Sequence, residues 1–348
     1  MGVLCEISIN KTADEVFRPG MAVSGEIRYT VNKETTFSRI TVSIKGTGRV
    51  VITEKRTDKD RTYDVTSSTS ENYVDIDNII TKENEVTLPI GSYETQFGFQ
   101  LPHNVPQSLR YTKYNAKGSV ECKIKYYVGI KFDQPGCKCT KRFKKEFTVA
   151  PNVIPRLPME PVIYEQQKTL AQIFSAKKRI VYIKTSTESC VIAPGGTIRF
   201  YCEINNDTNI DIKALKTKLI EVYSFYTTSR IQNQHFVHQE KVKFTNCKTT
   251  QIKRGRSETF DFKIDVPADL CSIENTTIVK RQYFIWVETV LPIPHRNVLQ
   301  KIEVQIGNLV GEDINVDNSD FGIHNDAPPS YWEAMSEEKK DADMWTTN

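Results

Sequence analysis

The shortest segment of this chain with the residue types for a specific contact is Pro328-Pro329-Ser330-Tyr331. Two consecutive prolines hold a polyproline II backbone, and that preset shape lowers the entropy cost of docking in an aromatic-lined WW groove. The tyrosine ring, at Tyr331, adds apolar area and a hydroxyl. With 15 prolines and 15 tyrosines in 348 residues, a P-P-x-Y run is seldom met by coincidence. The competing reading is a proline turn that ends a tail. The polar, acidic stretch before it, residues 314–326, reads as unfolded and leaves the motif accessible.

A second cluster is cationic. Lys138, Lys141, Arg142, Lys144 and Lys145 fall within eight residues, interleaved with Phe143 and followed by Phe147. Such an edge attracts phosphorylated tails or anionic lipid head groups. It equally suits a lysine-rich strand edge that keeps sheets from pairing with one another. Metal chemistry finds less support. Cys137-x-Cys139 has no second pair at ligand spacing. His235-x-x-His238 is not H-E-x-x-H, and residues three apart on a strand point to opposite faces. There is no Gly-rich phosphate loop, no G-x-S-x-G elbow and no paired-carboxylate or Cys/His constellation. The expectation is a protein that is not an enzyme and needs no cofactor or metal.

The elements that must carry these residues are strands. Val120, Cys122, Ile124, Tyr126 and Val128 alternate with Glu121, Lys123, Lys125 and Tyr127, and Ile198, Phe200, Cys202 and Ile204 alternate with Arg199, Tyr201 and Glu203. Period two is the mark of a half-buried strand, and long 3.6-residue periods are missing from the body. The class is all-β, with antiparallel sandwiches the fitting architecture. Only residues 163–174 suggest a short helix.

The order of blocks occurs twice. Phe17-Arg-Pro-Gly20 parallels Ile192-Ala-Pro-Gly195, and Phe97-Gly-Phe99-Gln-Leu101-Pro102 parallels Phe260-Asp-Phe262 through Val266-Pro267. Gln107-Ser108-Leu109 matches Cys271-Ser272-Ile273, and Ile124, Tyr126 and Val128 match Tyr283, Ile285 and Val287. A shared order over several blocks signals duplication. The expected division is a sandwich over residues 1–150, a hinge over 151–176, a second sandwich over 177–310, and an acidic disordered tail over 311–348.

These blocks carry a family resemblance. F-x-P-G-x3-S-G-E-I, G-S-Y-x3-F-x-F-x-L-P-x2-V-P-x-S and GSVECKIKYYV resemble the N-terminal arrestin domain. Ala193-Pro-Gly195, Val266-Pro267, Ile285-Trp-Val287 and Val304-Gln-Ile-Gly307 resemble the C-terminal one. The chain looks most like the alpha-arrestins, or arrestin-domain-containing proteins. The resemblance implies two tandem arrestin-like, immunoglobulin-like β-sandwich domains acting as a non-catalytic adaptor. Its domains would hold the cytoplasmic parts of membrane receptors or transporters. Pro328, Pro329 and Tyr331 would recruit a WW-domain, HECT-type ubiquitin ligase, promoting endocytosis and endosomal sorting. A retromer-type sorting subunit shares the fold without needing the proline motif. Many relatives carry two P-P-x-Y motifs in long tails, and a single copy here lowers the expected avidity.

Composition agrees with a two-domain globular chain. The most apolar stretch, residues 283–294, is twelve residues long and contains Glu288, too short and too polar to span a bilayer. The chain start has no basic n-region or apolar h-region, so the eight cysteines are expected to be reduced thiols in the cytoplasm. The resemblance implies peripheral association with the plasma membrane and endosomes. No recognition-helix, RNP or zinc-finger pattern accompanies the basic residues, so nucleic acid is not an expected partner. The net +4 is a cancellation: residues 307–348 hold ten acidic and two basic side chains, which offsets a body of +12. A basic body suits anionic, membrane-proximal partners.

Overall fold

The structure, a computed structural model, describes residues 2–58, 61–81, 85–136, 140–151, 153–170, 179–228 and 233–307. Among them there are twenty strands and no helix. The first half supplies β1 (Val3–Ile9), β2 (Ala22–Val31), β3 (Thr35–Phe37), β4 (Arg39–Asp58) and β5 (Arg61–Ile79). It continues through β6 (Val86–Leu88), β7 (Gly91–Gln100), β8 (Leu109–Asn115), β9 (Gly118–Asp133) and β10 (Thr140–Phe147). The second half supplies β11 (Val162–Leu170), β12 (Arg179–Thr187), β13 (Val191–Ile192), β14 (Thr197–Asp207) and β15 (Ala214–Thr227). It ends with β16 (Gln234–Lys241), β17 (Cys247–Lys248), β18 (Ser257–Asp265), β19 (Val279–Val290) and β20 (Val298–Ile306).

In the first sandwich the sheet β1-β2-β7 covers the sheet β10-β9-β4-β5, in which β8 also pairs β9. In the second, β11-β12-β14-β18 covers β13-β20-β19-β15-β16, with β17 added beside β15. Alternation decides what goes inside. Ile27, Ile44, Ile52, Tyr126 and Val128 fill the first core, and Phe200, Ile204, Leu219, Tyr283 and Ile285 fill the second. Each such side chain contributes about 1.5–3 kcal/mol by leaving water. Tyr126 keeps its hydroxyl satisfied while buried by donating to the Pro106 carbonyl at 2.6 Å.

The duplication read from the sequence is present bond by bond. Gly20 and Gly195 both take positive φ, at 83° and 77°, where a side chain would strain the turn before β2 and β14. After β7 the Leu101 N–H donates to the Met21 carbonyl, and after β18 the Val266 N–H donates to the Gly196 carbonyl. Ser108 donates its N–H to the Val149 carbonyl and accepts the Val149 N–H on its hydroxyl. Ser272 does the same with Ile306.

The expected helix over 163–174 is wrong where the chain is described. Val162–Leu170 is β11, paired antiparallel with β12 from Val162 opposite Thr187 to Leu170 opposite Arg179. Its inward positions include Gln166 and Lys168, which are polar and favour helices, so the strand period was hidden.

The sandwiches meet through a mixed interface. Tyr111 of β8 packs against Tyr223 and Phe225 of β15, with ring centroids 4.5 and 4.8 Å away. Glu71 of β5 accepts from the Tyr73 hydroxyl at 3.1 Å, the Thr276 hydroxyl at 2.8 Å and the Thr277 N–H at 3.0 Å. Behind it Arg281 pairs with Glu221 at 2.6 Å, and the Tyr283 hydroxyl donates to the same carboxylate at 3.1 Å. No helix among the described residues is long and apolar enough to cross a membrane.

Candidate functional site

Strand edges are where a sheet can still bind, because each outward N–H and C=O needs a partner. β1 is the edge of its sheet, and its parity can be read from its bonds. The Gly2 carbonyl accepts from the Asn32 N–H and the Asn10 N–H donates to Ser24, so the even residues between them bond β2. Val3, Cys5, Ile7 and Ile9 therefore turn their backbone groups the other way, toward β10. Between β1 and β10 lies a cleft of about 400 Å³, lined along one wall by residues 6–12 and along the other by residues 145–148.

The cationic run sits on β10, and the strand divides it. Lys141, Phe143, Lys145 and Phe147 share one side, and Arg142 and Lys144 the other. Phe147 packs edge-on against Phe17, with centroids 5.2 Å apart, which anchors the base of the cleft. Lys141 crosses the gap and donates to the Val3 carbonyl, its ammonium 5.3 Å from the Phe143 ring centre. It thus occupies the first outward carbonyl of β1 and leaves Cys5, Ile7 and Ile9. Lys145 lines the cleft beside Ile7 and Ile9 and makes no ion pair among the described residues. On the reverse side Lys144 lies 5.3 Å over the Tyr127 ring. Four of the five predicted cations are thus on one strand but not on one surface. Lys138 lies outside the described residues, as do Cys137, Cys139 and the motif Pro328, Pro329 and Tyr331.

The cleft can accept an extended segment as an added strand, its backbone on Cys5, Ile7 and Ile9 and an acidic group facing Lys145. The Cys5 thiol is pushed up to about 11 by burial and by the Glu6 carboxylate, so it stays protonated there at neutral pH. The sequence reading missed β1 as a site. The signal was in the duplication: β2 and β14 are counterparts, and so are their neighbours β1 and β12. β12, unlike β1, is covered on its far side by β11.

The two histidines do not converge. His235 stacks on Tyr226 with centroids 4.5 Å apart, whereas His238 meets Glu240 at 3.2 Å. Among the described residues no group of three or more His, Cys, Asp or Glu side chains is placed to hold a metal ion. Cys122, Cys190, Cys202 and Cys271 are buried free thiols.

Comparison with known families gives two matches in tandem. The family described as Arrestin (or S-antigen), N-terminal domain, matches residues 5–155, and its C-terminal domain counterpart matches residues 177–309. No curated protein matches the chain.

Proposed function

This chain belongs to the arrestin family, and from that premise we propose that it is a non-catalytic adaptor for membrane-protein cargo. Arrestin domains mark a family of trafficking adaptors. The finer reading is that the two domains bind the cytoplasmic part of a receptor or transporter. Pro328, Pro329 and Tyr331 meanwhile recruit a WW-domain, HECT-type ubiquitin ligase. Ligase brought to cargo at high effective concentration then ubiquitinates it and directs it to endosomes. The protein works on the cytoplasmic side of the plasma membrane and endosomes, and Lys141, Arg142, Lys144 and Lys145, with Lys138, contribute attraction for anionic partners.

The observation that carries this reading is the open outer edge of β1 beside Lys145, within a chain matched by both arrestin domains. An adaptor needs a surface that takes a flexible partner segment, and an unfilled strand edge is one. The ligase arm is tested with the full chain and an immobilised WW domain. Tyr331→Ala should reduce capture by at least about tenfold, since the ring fills the groove. Capture that survives the substitution would remove the ligase from the scheme. Association with a coat complex that ignores deletion of residues 328–331 would point to a retromer-type subunit.

A further inference from the structure

The second sandwich ends its smaller sheet on an open edge, β18, which pairs β14 and has no strand on its far side. The parity of that edge follows from the bonds at its two ends. One register step beyond the pairing, the Val266 N–H donates to the Gly196 carbonyl, and the Arg256 carbonyl accepts from the Asn206 N–H. The even residues of β18 therefore bond β14. Ser257, Thr259, Asp261, Lys263 and Asp265 turn their N–H and C=O groups to the open side. The same five side chains stand on the exposed outer face, because Phe260, Phe262 and Ile264 face the core.

An unpaired edge is a template for another strand unless its side chains repel one. Edges of one sign repel a second copy of themselves. β10 carries Lys141, Arg142, Lys144 and Lys145 against Glu146, and β5 carries Asp64, Glu71, Asp75 and Asp77 against Arg61. β7, the counterpart of β18 in the first sandwich, has Glu94 as its one charge and glycines at 91 and 98. β18 differs from all three. Asp261 and Lys263 are successive residues of one face, and neither makes an ion pair among the described residues. Lys263 also stands directly opposite Arg199 of β14, a like-charge opposition that an acid on the open side would relieve.

Register selects the partner. When two identical strands pair antiparallel about a two-fold axis, residues equidistant from the centre stand opposite each other. Centred on Phe262, the pair sets Asp261 opposite Lys263 of the other copy, and Lys263 opposite its Asp261, through backbone groups that already point outward. Thr259 falls opposite Asp265, whose carboxylate accepts from the Thr197 hydroxyl at 2.9 Å. On the core side Phe260, half-buried at the edge, meets Ile264. Other centres do worse. Asp261 or Lys263 at the centre faces its own copy, and Phe260 there leaves both charges without an opposite one. Ile264 at the centre brings in Pro267, which has no N–H to give. We propose that β18 is a self-association edge, through which two copies of this chain pair antiparallel about Phe262. The four strands of each smaller sheet then join into one sheet of eight. The paired length is short, so the dimer is weak and depends on concentration. Two copies present two β1 edges; that consequence rests on the adaptor reading, whereas the pairing does not.

The test is sedimentation velocity on the full chain over a concentration series up to about 300 µM, which reaches weak association. Wild type should move from monomer towards dimer across the series; a chain that stays monomeric throughout overturns the proposal. Asp261→Lys and Lys263→Asp each turn both attractive pairs into repulsive ones and should weaken association at least about tenfold. An equimolar mixture of the two variants should recover it, because every opposing pair is again of opposite sign. The double exchange D261K/K263D should recover it within one protein. A folding defect cannot produce either rescue. Glu94→Lys on the counterpart edge β7 should leave the dimer as in wild type. Association that ignores the single changes, a mixture no better than its components, or a loss caused by Glu94→Lys would each overturn pairing at β18.

Discussion

The two sandwiches present the same three strands in different company. β1, β2 and β7 correspond to β12, β14 and β18, yet β12 is bonded on both sides and β1 on one. The difference comes from nine residues, Val162–Leu170, which the chain lays on the second sandwich before entering it. The cores are alike and the turns are alike, so the fold itself does not distinguish the domains. An edge filled by the chain is structure, and the same edge left open is a socket.

The strongest challenge to this contrast is a pair of prolines in β1. Glu6→Pro removes an N–H that bonds β2 and should cost about 2–3 kcal/mol, seen as an earlier urea midpoint. Cys5→Pro removes an N–H turned to the cleft and should leave the midpoint nearly unchanged while weakening capture of an added strand. Equal losses would mean that both sides of β1 are already bonded. A smaller effect sharpens the correspondence between the domains. Ser108→Ala and Ser272→Ala each delete the hydroxyl that accepts the N–H of Val149 or Ile306, and each should cost about 1–2 kcal/mol. Ser272, the more buried, should cost more; a reversed order would break the correspondence.

The smallest effect concerns the contact between the sandwiches. The Glu240 carboxyl is held below the usual range by its bond to His238 and by Lys113 of the first sandwich, 3.8 Å away. Because the folded pKa is depressed, the contribution is present above the ordinary carboxylate range and is lost as pH falls through the folded value. Glu240 is largely exposed, so Glu240→Gln should cost no more than about 0.5 kcal/mol at neutral pH. Urea midpoints of the two proteins should converge in acid; a gap that persists there would point to packing instead of charge.

Much of this architecture was legible in the residues. Alternation through Val120–Val128 and Ile198–Ile204 identified strands because one face of each is buried, and the repeated Pro-Gly turns revealed the duplication. Three things were not legible, each for a physical reason. β11 was hidden because an edge strand over the second sandwich can keep Gln166 and Lys168 on its inner side. The run from Lys138 to Lys145 looked like one patch because sequence counts neighbours, whereas a strand sends neighbours to opposite faces. The opposition of Lys263 to Arg199 was invisible because register, set by tertiary pairing, joins residues far apart in the chain.

β11 also sets how many strands the paired edges of β1 and β12 can receive. A segment tethered next to its own docking edge competes as if present at millimolar concentration, so a free peptide at cellular levels does not displace it. Duplication gave the chain two sockets, and the tether retires one of them. At this pair of edges the molecule therefore receives one added strand, at β1, and a partner offering two such segments gains no avidity from the pair.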